Sequence, residues 1–188
     1  RALDVALARA ADSEVPTLFW GPGGTGRGRC ARRLHTLRHP KGPYRMVDAV
    51  ALTPEDLSEG ALALLQGGSL CLHRLENLSP QLLPELLGAM DSPLAQGVRW
   101  MGTCSSPLAV AEQLRLRLGV LSLQTPSLAN RKEDLLVLFR SLLQVEARQS
   151  GRATPALERA AERQLLARDW PGELRELTWL ARRTLESV

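Results

Sequence analysis

Lysine is nearly absent from this chain. Two lysines, Lys41 and Lys132, stand against 22 arginines in 188 residues, so positive charge is carried by planar guanidinium forks. Aromatic residues make up only 4%, so Leu, Ala and Val must fill the core that a 44% hydrophobic chain can build. Cysteine is scarce: Cys30, Cys71 and Cys104 form no close pair and no metal-ligand spacing, which argues against a disulfide framework or a zinc site. Cys71 lies inside one apolar run and Cys104 at the end of another, the setting of buried thiols in a reduced compartment. No secretory leader and no membrane-length apolar run is read, so the expected location is cytoplasmic, with no membrane partner. The chain begins at Arg1 without Met and stops in a helical pattern at Val188, as a piece of a longer protein would.

The formal charge of +4 is unevenly spread. Between Arg27 and Val47 there are seven Lys or Arg and no acid, while the rest carries 17 basic and 20 acidic residues. Such a block attracts phosphate, nucleic acid or an acidic partner, and reads equally well as a solvated helix face.

Hydrophobic spacing organises the chain. Leu3, Leu7 and Ala10 share a helical face before Pro16. Strands are expected at Thr17–Trp20, Tyr44–Val50, Ser69–Leu72, Gly97–Thr103 and Val120–Thr125. Helices are expected at Gly28–Leu37, from Pro54 through Leu65, from Ser79 through Leu87, and at Leu108–Leu118. This alternation implies an α/β fold, a five-stranded, mostly parallel sheet flanked by helices. From Asn130 the pattern is helical throughout. One long helix is expected over 130–149, a second with Thr154 as N-cap and Pro155 in its first turn, and a third opened by Asp169 and Pro171. The expected domains are an α/β unit over 1–129 and a helical unit over 130–188.

Between the first strand and its helix stands Gly21-Pro22-Gly23-Gly24-Thr25-Gly26-Arg27-Gly28. A G-x-x-x-x-G-K-[ST] loop in that setting cradles phosphates with backbone N–H groups, its Lys reaching the outer phosphates and its hydroxyl holding Mg²⁺. Here Arg27 takes the Lys position and Gly28 offers no hydroxyl.

In these stretches the sequence resembles the AAA+ domain of sigma-54-dependent transcription activators, along nearly its whole length. "GPGGTGRGRCARRLH" is similar to the family's phosphate loop, and "GGSLCLHRLENLSPQLLPELLGAM" to its second nucleotide motif. "RLRLGVLSL" with "PSLANRKEDLLVLF" resembles the arginine-finger segment and the start of the lid, and "ARDWPGELREL" the sensor stretch of the lid. The resemblance implies a P-loop fold followed by a small helical lid, and an ATP or ADP site at a subunit interface. Gly21, Gly23, Gly24, Thr25, Gly26, Arg27 and Gly28 would hold the phosphates. Arg175 would reach the γ-phosphate from the lid, and Arg117 would be the finger offered to a neighbour. Without the resemblance, Arg117 reads as a surface charge, and Arg175 as a partner of Glu173 or Glu176.

The departures are as informative. Where the family carries Asp and Glu after the third strand, this chain has His73 and Arg74. Replacing a charge of −2 by about +1 repels Mg²⁺, and imidazole is a poor ligand for a hard cation. Glu76 is the nearest carboxylate, past the strand end. Cys104 stands where the family has a sensor Asn, and Ala111 where it has a second finger arginine. Only "TPEDLSEGALALLQ" fills the place of the long loop that grips sigma-54. The expected function is a degenerate AAA+ (pseudo-ATPase) domain of a transcription regulator. It would bind nucleotide weakly or not at all, without Mg²⁺, and act through self-association in a ring or dimer or through other transcription proteins. DNA would be contacted by a domain outside the chain. The alternatives are a slow ATPase and a nucleotide-free interaction scaffold.

Overall fold

The computed structural model describes residues 2–186. The expected helix ends at Arg1, Ser187 and Val188 lie outside them. Contacts divide the chain into two units, Arg1–Gly21 with Gly26–Thr125, and Pro22–Thr25 with Pro126–Val188.

The first unit is built on five strands, β1 (Thr17–Trp20), β2 (Tyr44–Asp48), β3 (Gly68–His73), β4 (Val98–Cys104) and β5 (Leu121–Gln124). All pairings are parallel, in the order β2-β3-β4-β1-β5. A parallel sheet buries both faces, which is why these strands read as short apolar runs and not as alternating ones. The faces nonetheless separate with period two. Leu18, Leu70, Leu72 and Trp100 pack in one core with Leu86, Leu114 and Leu118 of α4 (Leu83–Asp91) and α5 (Glu112–Leu118). Phe19, Cys71 and Met101 point the other way. They meet Leu7 and Ala10 of α1 (Ala2–Ala11) and Ala31 and Leu34 of α2 (Arg27–Arg38). Burying a Phe such as Phe19 contributes about 1.5–3 kcal/mol, so these cores hold the strand ends in register.

Two expected helices are broken. In place of one helix from Pro54 there is a 3-10 turn, Pro54–Leu57, and then α3 (Glu59–Ala63). Ser58 causes the break: its hydroxyl accepts from the Ala61 N–H at 3.3 Å and so caps a new helix. Leu108–Leu118 likewise divides into a 3-10 turn, Pro107–Ala109, and α5. Strand β2 stops at Asp48, and Ala49–Ala51 form a 3-10 turn that the Asp48 side chain caps.

The second unit contains α6 (Lys132–Gln149), α7 (Arg159–Ala167) and α8 (Glu173–Glu186). Leu135, Phe139 and Leu143 pack against Leu165, Leu177 and Leu185. Glu146 on α6 accepts from Arg182 Nε on α8 at 2.7 Å. Thr154 and Pro155 do not start α7; Glu158 is its N-cap. A proline keeps the residue before it extended. The stretch 152–158 has no regular structure, and Thr154–Leu157 line one groove with Val137 and Leu143 of α6.

Candidate functional site

Strand β1 ends at Trp20, paired with Cys104 at the end of β4. The Gly21 N–H donates to the Cys104 carbonyl at 3.3 Å, and the chain then leaves the sheet. Gly26 caps α2 at φ 97°, a left-handed conformation that L side chains disfavour. Helix α2 has no acid in its first turn and no side-chain cap. Its amides and dipole favour an anion, yet its first residue is a cation, Arg27. Arg27 is only 5% exposed. Its Nη1 is buried without a hydrogen-bond partner, and the Glu76 Oε1 atom lies 3.8 Å away, too far for a hydrogen bond. Glu76 is past the strand end, as expected, but the turn Leu75–Asn77 directs it back to Arg27. Glu76 Oε1 accepts from the Ser105 N–H at 3.2 Å, while Oε2 is buried and unpartnered.

His73 is the last residue of β3 and is paired in register with Asp48 of β2. Its Nδ1 shares a 2.7 Å hydrogen bond with Thr103 Oγ1, which also accepts the Arg74 N–H at 3.1 Å. Burial lowers the pKa of His73. The charges of Arg27 and Arg74 add to that shift, and Asp48 and Glu76 oppose it. The ring is therefore neutral at neutral pH. Arg74 turns at φ 59° and folds onto Asp48, with Nε–Oδ2 at 2.8 Å and Nη2–Oδ2 at 2.6 Å. Burial alone would raise the pKa of Asp48. The Arg74 hydrogen bond, the Val50 N–H and the charges of Arg74 and His73 hold it below the usual carboxylate value. Gly28 lies against the same ring: a Cβ there would stand 3.9 Å from His73 Nδ1 and 3.3 Å from Met46 Sδ.

The first unit thus brings together Gly21, Gly26, Arg27, Gly28, His73 and Arg74. Asp48 and Thr103 join them, and neither carries a motif; only the strand order reveals them. Cys104 is buried beside the group, its thiol pushed up to about 11 by burial first and then by the Glu76 charge. Of the basic block, Arg29, Arg32 and Arg33 are exposed on α2, whereas Arg38 pairs with Glu14 and Arg45 with Asp56. Arg117 on α5 forks onto Asp91 at 3.3 and 2.9 Å, and Ala111, just before α5, is exposed.

Gly23, Gly24, Thr25 and Arg175 belong to the second unit. The Thr25 hydroxyl donates to the Pro22 carbonyl at 2.8 Å. Gly24, at φ 90°, accepts the Leu174 N–H at 3.1 Å, and a Cβ there would stand 2.7 Å from the Gly172 carbonyl. Arg175 is exposed. The two acids the sequence offers it are engaged elsewhere: Glu173 accepts the Leu128 N–H at 2.6 Å, and Glu176 bonds the Gly172 N–H and Arg168. Among the described residues no three His, Cys, Asp or Glu side chains gather as a metal site, and no helix is long and apolar enough to cross a membrane.

The AAA+ ATPase lid domain family matches residues 129–186. The pathogenicity locus probable regulatory protein HrpR of Pseudomonas syringae pv. syringae is 30% identical over 203 residues, covering 87% of this chain and 63% of HrpR. The chain has the AAA+ P-loop fold with a C-terminal lid, and it is similar to transcription regulators of the sigma-54-dependent activator family. The DNA-binding transcriptional regulator NtrC of Bradyrhizobium is 28% identical, over 94% of this AAA+ chain and 44% of NtrC. The crystal structure of NtrX from Brucella abortus in complex with ATP superimposes with a TM-score of 0.83 at 26% identity, over 99% of this chain and 50% of that one. The chain therefore spans 63% of HrpR and about half of NtrC and NtrX. The HrpR alignment is longer than the 188 residues of this AAA+ chain, so HrpR carries inserted residues that this chain lacks.

Proposed function

We propose that this AAA+ chain is a degenerate, pseudo-ATPase domain of a transcription regulator. It binds the phosphates of ATP or ADP weakly and without Mg²⁺, and it acts through self-association or partner binding in the cytoplasm. The observation that carries the reading is Arg27. A 95%-buried guanidinium with an unpartnered nitrogen, placed where a helix dipole is positive, calls for an anion. Gly21 to Gly28, with Arg27, would hold the phosphates. NtrX, solved with ATP and with ADP, supports that ligand class.

The donor set does not fit Mg²⁺. The nearby carboxylates, Asp48 and Glu76, each face a guanidinium, and His73 is a neutral nitrogen donor. Arg74 stands in for the ion as a positive charge at the strand end. With His73 and Arg74 at the family's two acidic positions, hydrolysis has no evident carboxylate base there.

A titration of the purified chain with a fluorescent ATP analogue, with Mg²⁺ and with EDTA, tests the reading. Saturable binding of equal strength in both buffers is expected. Binding that requires Mg²⁺ would remove the role given to Arg74. No binding at millimolar ligand would mean that the fold is kept for its surfaces alone.

A further inference from the structure

Arg27, at the start of α2, and Arg74, after β3, each already face an anion of the chain itself. The two pairs differ in kind. Arg74 and Asp48 are hydrogen-bonded at 2.6 and 2.8 Å, and Arg74 is 43% exposed. Arg27 and Glu76 lie deeper, at 5% and 20% exposure, and their closest approach is 3.8 Å. Each is left with a stranded atom, Nη1 on one side and Oε2 on the other. The reason is visible in the turn after β3. The Ser105 N–H holds Glu76 Oε1 at 3.2 Å, so the carboxylate sits in place without closing on the arginine. It neutralises the charge of Arg27 and leaves its donor unfilled.

We propose that Glu76 is an internal stand-in for phosphate, a residue that sets the affinity and selectivity of the Arg27 site. The inference rests on the reading that Gly21 to Gly28 takes nucleotide phosphate. A phosphate that reaches Arg27 meets a fixed negative charge next to the same guanidinium. Like charges a few ångströms apart in a buried site disfavour each other strongly. Glu76 therefore lowers affinity most for the ligands with the highest negative charge, and ATP suffers more than ADP. Until it is displaced, it also shields an arginine that would otherwise be an uncompensated buried charge.

Glu76→Gln is the informative change. The amide oxygen keeps an acceptor for Ser105, and the negative charge is gone. The full chain, its Glu76→Gln variant and its Glu76→Ala variant would be titrated by calorimetry with ATP, ADP and inorganic phosphate in EDTA. Circular dichroism would confirm that each is folded. The expected result is tighter binding of ATP by about tenfold or more in both variants, with a smaller gain for ADP. Equal affinity in wild type and variants would overturn the inference and leave the nucleotide reading standing. Weaker binding in the variants would also overturn it, making Glu76 a group that positions the ligand. No binding by any of the three would overturn the inference and the nucleotide reading together.

Discussion

Arg74 and Asp48 close a 2.6 Å salt bridge between the ends of two adjacent strands, and the arginine reaches it only by turning its own backbone to φ 59°. The left-handed turn opposes stability by about 1 kcal/mol for a residue with a Cβ. A part-exposed ion pair returns about the same amount or less. Arg74→Gly should therefore leave the unfolding free energy within about 1 kcal/mol of wild type, because glycine takes the turn without strain. Its effect should fall on the ligand. Binding of the ATP analogue in EDTA should weaken, and Mg²⁺ should now strengthen it, because Asp48 is released. Unchanged binding in EDTA would show that Arg74 does not replace the ion.

Much of the sheet was legible in the sequence because parallel strands between two helical layers are short apolar runs, and "TLFW" and "SLCL" are unambiguous at that length. Helix ends were less legible. Ser58 reads as one polar residue in a helical pattern, yet its hydroxyl starts a second helix. Thr154 and Pro155 have the composition of a helix start, but Thr154–Leu157 lie in the groove beside α6, and α7 begins four residues after Pro155, at Arg159. In the site, Arg27, His73 and Arg74 could be named from motif positions alone. Asp48 could not, since it joins them only through the pairing of β2 with β3. The role of Thr103 depends on β4 lying beside β3, which no local pattern encodes.

Two histidines make stability depend on pH. Burial first, and then neighbouring positive charge, lowers the pKa of both His35 and His73 from 6.5. In the unfolded chain they take up protons near 6.5, where the folded chain does not. Their contribution is therefore complete above about 6.5 and is lost as pH falls toward the folded values. The depressed carboxylates, Asp48, Glu14 and Asp91, lose theirs only at lower pH, below their ordinary values of 3.8 to 4.5. The melting temperature should drop between pH 7 and about 5.5. His35→Asn, whose amide can still meet the Ser69 hydroxyl that now lies 3.0 Å from Nδ1, should flatten that slope. An unchanged slope would remove His35 as a source.

Glu173 ties the second unit together at its own conformational expense. It is 7% exposed, begins α8 at φ 54°, and accepts the buried Leu128 N–H at 2.6 Å. Glu173→Ala strands that amide and keeps the strained turn. The C-terminal helices should lose about 1–3 kcal/mol, read by denaturant unfolding followed through Trp170 and Trp179 fluorescence. A loss below about 0.5 kcal/mol would mean that the amide finds another acceptor.

Arg117 is held by its own chain. Its fork onto Asp91 is exposed, so neither partner adds much to the fold. Arg117→Ala should leave the melting temperature unchanged. If the side chain serves a neighbouring copy, as the resemblance to the finger segment implies, it must leave Asp91 to do so, and the pair competes with assembly. Asp91→Asn should then promote self-association in the presence of ATP, and Arg117→Ala should reduce it, both measured by sedimentation velocity over a range of protein concentration. Equal sedimentation for wild type and both variants would assign Arg117 to Asp91 alone. Any assembly of this domain would then have to use other surfaces, the exposed arginines of α2 among them.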